Sequence, residues 1–358
     1  MRSSFLAMAG AMLLSAAAVL SSTSNANACA GLIGSNGAVN LGRTTTLAAY
    51  HNGEEHYVTS FEFQGAGGGE FGTLIPLPGV PSNVERGGAW TLQRLQRETN
   101  PVFFSAVASA ALEDGAGRKA EVLIEKRIDA LDITVLKGGG PAVAEWAQAH
   151  GFRLSPDAPE VLDFYARRSP IFLAAVFDGD AAAERGQQAG DGTPVHLTIP
   201  TDNPWVPLRI LSLGKQAADS VEADVFLLTD ERPRILPGVR SGLVKTHSEW
   251  ASDLLLADLR SDAGMAWVPE RAWLTKLSIN ARAGDLTYDL AVDADGDERP
   301  SAVAAGLEAP KPAAVAALPI EDGNGLAATL ALLAIIGAAI LAAGILLARI
   351  NPSGRAAR

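Results

Sequence analysis

The run Leu326 to Ala348, LAATLALLAIIGAAILAAGILLA, carries no charged residue across 23 positions. At ~1.5 Å of rise per residue it would measure about 34 Å as a helix, slightly more than a bilayer's hydrocarbon core of roughly 30 Å. This predicts a transmembrane helix over 326–348. Arg349, Arg355 and Arg358 follow the run, while Glu321 and Asp322 precede it. The basic side marks the cytoplasm, so residues 349–358 read as a cytoplasmic tail and the N-terminal part lies outside.

The other apolar stretch reads differently. A single Arg2, the run Phe5 to Leu20 and the small-residue pattern Ala26-Asn27-Ala28 predict a secretory signal peptide over 1–28. No twin arginine is present, which favours the general export route. Cys29 is the one cysteine of the chain, so an intrachain disulfide is excluded in a compartment that would allow one. Three fates are open to it: lipidation at the new N-terminus, an unpaired thiol, or a nucleophile using its own amine as base. Ala26-Asn27-Ala28 is a poor match to the residues that lipidation prefers, and no oxyanion site for the third is visible.

Between these ends lies an extracytoplasmic domain, residues 29–300, followed by a tether, 301–325. Setting aside Arg2, the three tail arginines, Glu321 and Asp322 leaves 25 basic and 38 acidic residues in 29–320, a formal charge of about −13. Such a surface repels polyphosphate backbones, which excludes nucleic acid as a partner, and attracts divalent cations or basic polymers instead. The tether holds Pro310, Pro312 and Pro319 among alanines, with no aromatic residue, and reads as partly extended. Its Leu318-Pro319-Ile320-Glu321-Asp322 lacks the Thr-Gly at which a wall-sorting enzyme would cut, so the membrane anchor is the reading retained.

Alternation and turn chemistry predict an α+β, strand-dominated domain with a few short helices. Thr44 to Tyr50 and His56 to Phe63 form a hairpin turned by Asn52-Gly53. Thr73 to Pro81 is extended and stiffened by three prolines, suited to a sheet edge or a polyproline-like cross-over. A short helix follows at Trp90 to Arg97, and Glu121 to Leu136 reads as one or two strands. The triple glycine 138–140 marks a sub-boundary, after which Pro141 opens a helix and Pro159 to Arg167 forms another. Strands resume at Ile171 to Phe177, Pro194 to Pro200, Val206 to Leu213 and Val221 to Thr229. Thr246 caps a helix to Leu259, and Trp273 to Ala281 and Leu286 to Val292 close the domain as strands.

TLIPLPGVP, the helix pair EWAQAHGFRLSPDAPEVLDFYARR, VHLTIPTDNPWVPLRILSLG and RAWLTKLSINARAGDLTYDL occur in that order. With them the chain resembles a bacterial family of exported proteins, domain of unknown function 2330, over roughly Cys29 to Asp297. The resemblance implies a signal peptide, a cysteine near the mature start and a C-terminal span, placing the protein in the bacterial cytoplasmic membrane. A second family cysteine has no counterpart in AGLIGSNG, residues 30–37. The resemblance assigns no catalytic residue.

The motifs that could carry chemistry are incomplete. His51, Glu54, Glu55 and His56 superficially resemble a zinc motif, but Asn52-Gly53 breaks the helix such a motif needs, so a solvated hairpin tip is expected. Gly67, Gly69 and Gly72 match a dinucleotide fingerprint in spacing alone, because TLIPLPGVP follows where a helix should start. Asp293, Asp295 and Asp297 alternate around Gly296, yet Ala291 and Ala302 occupy positions where a helix-loop-helix calcium loop needs ligands. Only a loose calcium site remains there, and no other cofactor is expected. His150, His196 and His247 follow no ligand spacing, and no Gly-x-Ser-x-Gly elbow occurs. Of six tryptophans, Trp205 among the prolines of DNPWVP is the aromatic best placed for exposure and binding. These readings favour a binding or structural module of the cell envelope over the alternative, a tethered hydrolase whose residues meet only in the fold. The bilayer is the expected partner through 326–348, and the envelope polymer or protein it meets is not identified.

Overall fold

A computed structural model describes residues 31–34, 37–38, 44–61, 71–99, 122–185 and 192–311. The segment expected as a signal peptide, 1–28, Cys29, the glycine run 65–70, residues 312–325 of the expected tether and Leu326–Ala348 lie outside them. The strands begin with β1 (Gly31–Gly34), β2 (Gly37–Ala38), β3 (Thr44–His51), β4 (Glu54–Phe61), β5 (Phe71–Leu77) and β6 (Asn83–Arg86). After helix α1 (Thr91–Thr99) come β7 (Val122–Ile128), β8 (Leu131–Lys137), α2 (Gly139–Ala149), α3 (Ala158–Ala166), β9 (Ile171–Phe177) and α4 (Gly179–Glu184). The last part holds β10 (Thr193–Pro200), β11 (Trp205–Val206), β12 (Ser220–Thr229), β13 (Arg234–Leu236), β14 (Leu243–Trp250), α5 (Asp253–Ser261), β15 (Trp273–Arg282) and β16 (Leu290–Asp293). This is a strand-dominated α+β fold.

Two sheets form the centre. One has six antiparallel strands in the order β2-β1-β5-β9-β8-β7, and the other has seven in the order β14-β15-β12-β3-β4-β10-β6. In the second, β3 and β12 are the parallel pair, with Tyr50 beside Thr229. Their facing sides share one core: Ile75, Ile133, Leu173 and Phe177 from the first meet Tyr57, Leu197, Val225 and Leu277 from the second. The far side of the six-stranded sheet is covered by α2 and α3 through Val143, Trp146, Val161 and Tyr165. The far side of the other is covered by α1 and α5 through Leu92, Leu95, Leu255 and Leu259. Helices therefore flank both sheets, and strands buried on both faces read as continuous apolar runs, such as IFLAAVF in β9.

Several sequence expectations need correction, each for a tertiary reason. The proline-rich β5 is interior, between β1 and β9, but its register with β1 stops at Leu74. Pro76 lies beyond the described part of that register, and on its other side it stands opposite Phe172 of β9. The helix expected from Thr246 begins only at Asp253, capped by Ser252, whose Oγ accepts from the Leu255 N–H at 3.2 Å. Residues up to Trp250 are instead held as β14 by their ladder to β15. Beyond Val206 the expected strand gives way to a 3-10 turn, Arg209–Ser212, because the Leu208 and Arg209 N–H groups both donate to Asp289 Oδ1, at 2.7 and 3.0 Å.

The triple glycine lies within one compact unit that runs to Pro310, with Gly138 preceding α2 and Gly139 and Gly140 already in its first turn. Gly139 has φ +69° and no room for a side chain, since a Cβ there would lie 2.7 Å from the Cβ of Ala166. The glycines thus press the start of α2 against the end of α3. Residues 301–306, assigned to the tether by composition, pack against the domain: Ala304 and Ala305 are buried, and Ala305 O accepts the Asp289 N–H at 2.9 Å. No helix among the described residues is long and apolar enough to cross a membrane.

Candidate functional site at the hairpin end of the seven-stranded sheet

The β3–β4 turn has both central residues at positive φ, Asn52 at 53° and Gly53 at 79°, the conformation that closes a two-residue hairpin without splaying its strands. The register sets His51 opposite Glu54, Tyr50 opposite Glu55 and Ala49 opposite His56. Because side chains alternate along a strand, Tyr50 and Glu55 face one side of the sheet, and His51, Glu54 and His56 face the other. The zinc-like cluster is therefore divided between two environments. The tip itself is solvated at Asn52 and Gly53, but the expectation fails for Glu55, which is 1% exposed.

On the inner side, neither carboxyl oxygen of Glu55 has a hydrogen bond of normal geometry. Burial pushes its pKa up to about 8, opposed only by the nearby backbone N–H of Trp205. Glu55 is thus a neutral acid at neutral pH, since an ion there would have no solvation. It faces a chamber of about 10 Å³, the room one water needs, walled by Tyr50, Pro204, Trp205, Thr229 and Val292 among others. The Tyr50 hydroxyl donates to Thr201 O at 2.9 Å. Its pKa is raised by burial first and then by Asp202, Asp295 and Glu55.

Tyr50, Pro204 and Val292 also line a larger cleft of about 300 Å³, rimmed by Asp202, Asp293, Asp295, Asp297, Glu298 and one cation, Arg299. The cleft brings the three alternating aspartates together with Asp202, from a distant loop. Asp293 Oδ2 accepts the Glu298 N–H at 2.8 Å and so closes its own turn, while Asp295 and Asp297 are exposed. Among the described residues no three His, Cys, Asp or Glu side chains converge as a metal site requires. The carboxylates are spread around a cleft.

On the outer side, β10 lies between β4 and β6, which aligns His196 with both Val58 and Glu85. His196 Nδ1 lies 3.1 Å from Glu85 Oε1, and its Nε2 lies 2.9 Å from His56 Nδ1. The neutral tautomers that satisfy both contacts have His56 donating to His196 and His196 donating to Glu85. Burial lowers both pKa values. That of His56 falls to about 4, with His196 and His51 adding to the effect, and for His196 the Glu85 carboxylate pulls the other way. A tetrahedral metal between the rings would need roughly 3.3 Å between nitrogens, and the ring contact is closer than that, at 2.9 Å. Trp267 stacks on His56 at 4.1 Å and on His196 at 5.0 Å. His51 pairs instead with Asp230 at 2.6 Å. Sequence reading missed this Glu85–His196–His56 order.

Trp205 is a correction. It is 3% exposed, pairs with Ala291 in the three-stranded sheet β11-β16-β13, stacks on Tyr165 at 5.7 Å and lies under the Arg168 guanidinium at 4.7 Å. Arg168 in turn holds the fully buried Asp289, which also accepts from the Tyr165 hydroxyl at 2.9 Å. The prolines around Trp205 carry it into the core. Trp90 and Trp250 are the tryptophans with the most exposure, each 38%.

Comparison with known proteins adds the family. No curated protein matches the chain. Among solved structures, baculovirus P35 aligns at 9% identity over 70% of this chain and 96% of its own, with a TM-score of 0.36. A mutated baculovirus P35 after caspase cleavage aligns at 7% over 72% and 96%, also at 0.36. These values are too low to carry a structural or functional argument. Residues 23–293, most of the chain, match the model of the family described as an uncharacterized protein conserved in bacteria, DUF2330, and the chain belongs to that family.

Proposed function

We propose that the protein is a single-pass, membrane-anchored binding module of the bacterial cell envelope that takes an extended polycation in the cleft below the β3–β4 hairpin. The cleft is the observation that carries this reading: four aspartates and Glu298 surround about 300 Å³, with Arg299 the one basic side chain on its wall. Behind its Tyr50 wall sits the unpartnered acid Glu55, a neutral reserve of charge. Carboxylates distributed around a cleft suit several separated ammonium groups better than one calcium ion, which needs them converged. The formal charge of about −13 on residues 29–320 would raise the local concentration of such a ligand. The anchor and export rest on Leu326–Ala348, the arginines after it and the signal-peptide pattern.

Spermine titrated into the full chain in neutral detergent tests the cleft. Saturable, salt-sensitive binding that Asp202→Asn/Asp295→Asn/Asp297→Asn weakens at least ~10-fold is expected. Equal binding by the triple variant would refute the cleft, and tighter calcium than spermine binding would restore the calcium reading. For the topology, a cysteine at Ser353 should be shielded from an impermeant thiol reagent in intact cells and one at Glu308 labelled.

The hydrolase alternative draws on Glu85–His196–His56, a carboxylate–imidazole order that general bases use. It places the last ring under Trp267 rather than at the cleft. His196→Gln should therefore leave spermine binding unchanged.

A further inference from the structure

We infer that the groove between β13 and β14 is a second site, independent of the acidic cleft, that binds a phosphate-bearing ligand. The groove is open to solvent and measures about 630 Å³, and its wall holds three cations, Arg232, Arg234 and Lys245, beside Ile235, Val239 and Gly296, with no Asp or Glu among its lining residues. In this acidic chain other arginines are engaged by carboxylates: Arg86 by Asp129, Arg94 by Asp258, Arg127 by Asp132, Arg168 by Asp289, Arg271 by Glu231. Among the described residues Arg232, Arg234 and Lys245 join no ion pair. The closest opportunity is declined. Arg234 stands opposite Asp293 in the β13–β16 ladder, yet no ion pair joins them, and Asp293 Oδ2 accepts the Glu298 N–H.

The backbone beneath these cations is built closely. Gly296 passes so near Arg232 that a Cβ would lie 2.4 Å from Arg232 O, and Arg240 and Leu243 exchange backbone hydrogen bonds of 3.0 and 2.9 Å at the mouth of β14. Arg232 also leans toward the Trp273 ring, 5.9 Å away. A lysine and a bulge on an exposed edge strand are a known guard against strand addition, and β14 has both, with its register shifting between Lys245 and His247. That accounts for Lys245 alone, since Arg232 and Arg234 belong to β13 and its approach in another sheet.

Three positive charges match a phosphate better than a single carboxylate, and two guanidinium groups offer the paired donors that phosphate oxygens accept. Ile235 and the 58% exposed Val239 give the organic part of the ligand an apolar flank. The shared chemistry is a phosphate ester, whether from a lipid headgroup or a soluble phosphate.

The test titrates the full chain in neutral detergent with glycerophosphoglycerol, the deacylated headgroup of phosphatidylglycerol, and separately with inorganic pyrophosphate, with glutarate as the carboxylate control. Saturable binding of one or both phosphates, at least ~10-fold tighter than glutarate and weakened at least ~10-fold by Arg232→Gln/Arg234→Gln/Lys245→Gln, is the expected result. Whichever phosphate binds tighter names the source. These exposed positions should leave the melting temperature unchanged and should not weaken spermine binding, which separates failure here from failure at the acidic cleft. No saturable phosphate binding, equal binding of glutarate, or an unaffected triple variant would overturn the assignment.

Discussion

Glu55→Gln isolates the energetic consequence of a buried, unpartnered acid. The folded carboxyl keeps its proton to about pH 8, whereas its ordinary value is 4.5. Between those limits the native state binds one proton more than the unfolded chain, so stability falls as pH rises, by ~1.4 kcal/mol per unit. Below 4.5 both states are protonated and above about 8 both are ionised, so the contribution is flat at each end. Over the whole window the loss is about 5 kcal/mol, of which roughly 3 kcal/mol has been lost by pH 7. Glutamine has the same shape and no titration. The assay is urea denaturation of the full chain and the variant in neutral detergent, followed by tryptophan fluorescence at several values between pH 5 and pH 8. Every other titrating group is common to both proteins and cancels in the difference. Wild type should lose about 4 kcal/mol relative to the variant over that range, whatever the offset between amide and acid. Parallel curves within ~1 kcal/mol would mean that Glu55 is hydrated or paired in the folded protein, and the reasoning from burial would fail.

Arg168→Met strands Asp289, which is 0% exposed, among the Tyr165 hydroxyl and the Leu208 and Arg209 N–H groups; a loss of about 3–5 kcal/mol is expected in denaturation. Adding Asp289→Asn should recover part of it, and no recovery would show that packing of Arg168 on Phe164 and Trp205 dominates. Asp262→Ala removes the acceptor for the Ala89 and Trp90 N–H groups and the Thr91 hydroxyl at the start of α1, at a cost of about 1–3 kcal/mol, with Asp262→Asn milder. Limited proteolysis with proteinase K should cut between 312 and 325 and spare 301–306, where Ala304 and Ala305 are buried. Mass spectrometry that places the first cut before Ser301 would contradict the packing of that segment.

How far the sequence could be read depended on whether a feature was local. Periodicity located β9, β10, β12 and β15 and both helices of the α2–α3 pair to within a residue or two, because burial on one or both faces writes itself into neighbouring residues. It failed at Thr246, where a seven-residue ladder to β15 outweighs a local cap, and after Val206, where Asp289, some 80 residues away, captures two N–H groups. Trp205 looked exposed because prolines usually mark a surface loop. Here they steer a two-residue strand into a third sheet.

The hairpin shows why the candidate site was harder to read than the fold. In a helix, residues close in sequence at i and i+4 share a face, and a contiguous motif can be a site. In a strand the period is two, so adjacent residues are sent to opposite faces and their environments are set by strands elsewhere in the chain. Glu55 and His56 are neighbours, yet one carboxyl has its pKa raised because Pro204, Trp205 and Val292 close over it. The next residue has its pKa lowered because β10 delivers His196 against it and Trp267 covers its ring. The separation of 140 residues between His56 and His196 carries no local signal. Only the alternation around His196, with Val195 and Leu197 turned into the core, indicated that a histidine stood on the other face. The same two-residue period that disqualifies HNGEEH as one metal motif therefore creates two separate chemical environments, an acid reserve behind a carboxylate cleft and a neutral imidazole pair under an indole, and a substitution at either position should leave the other's titration in place.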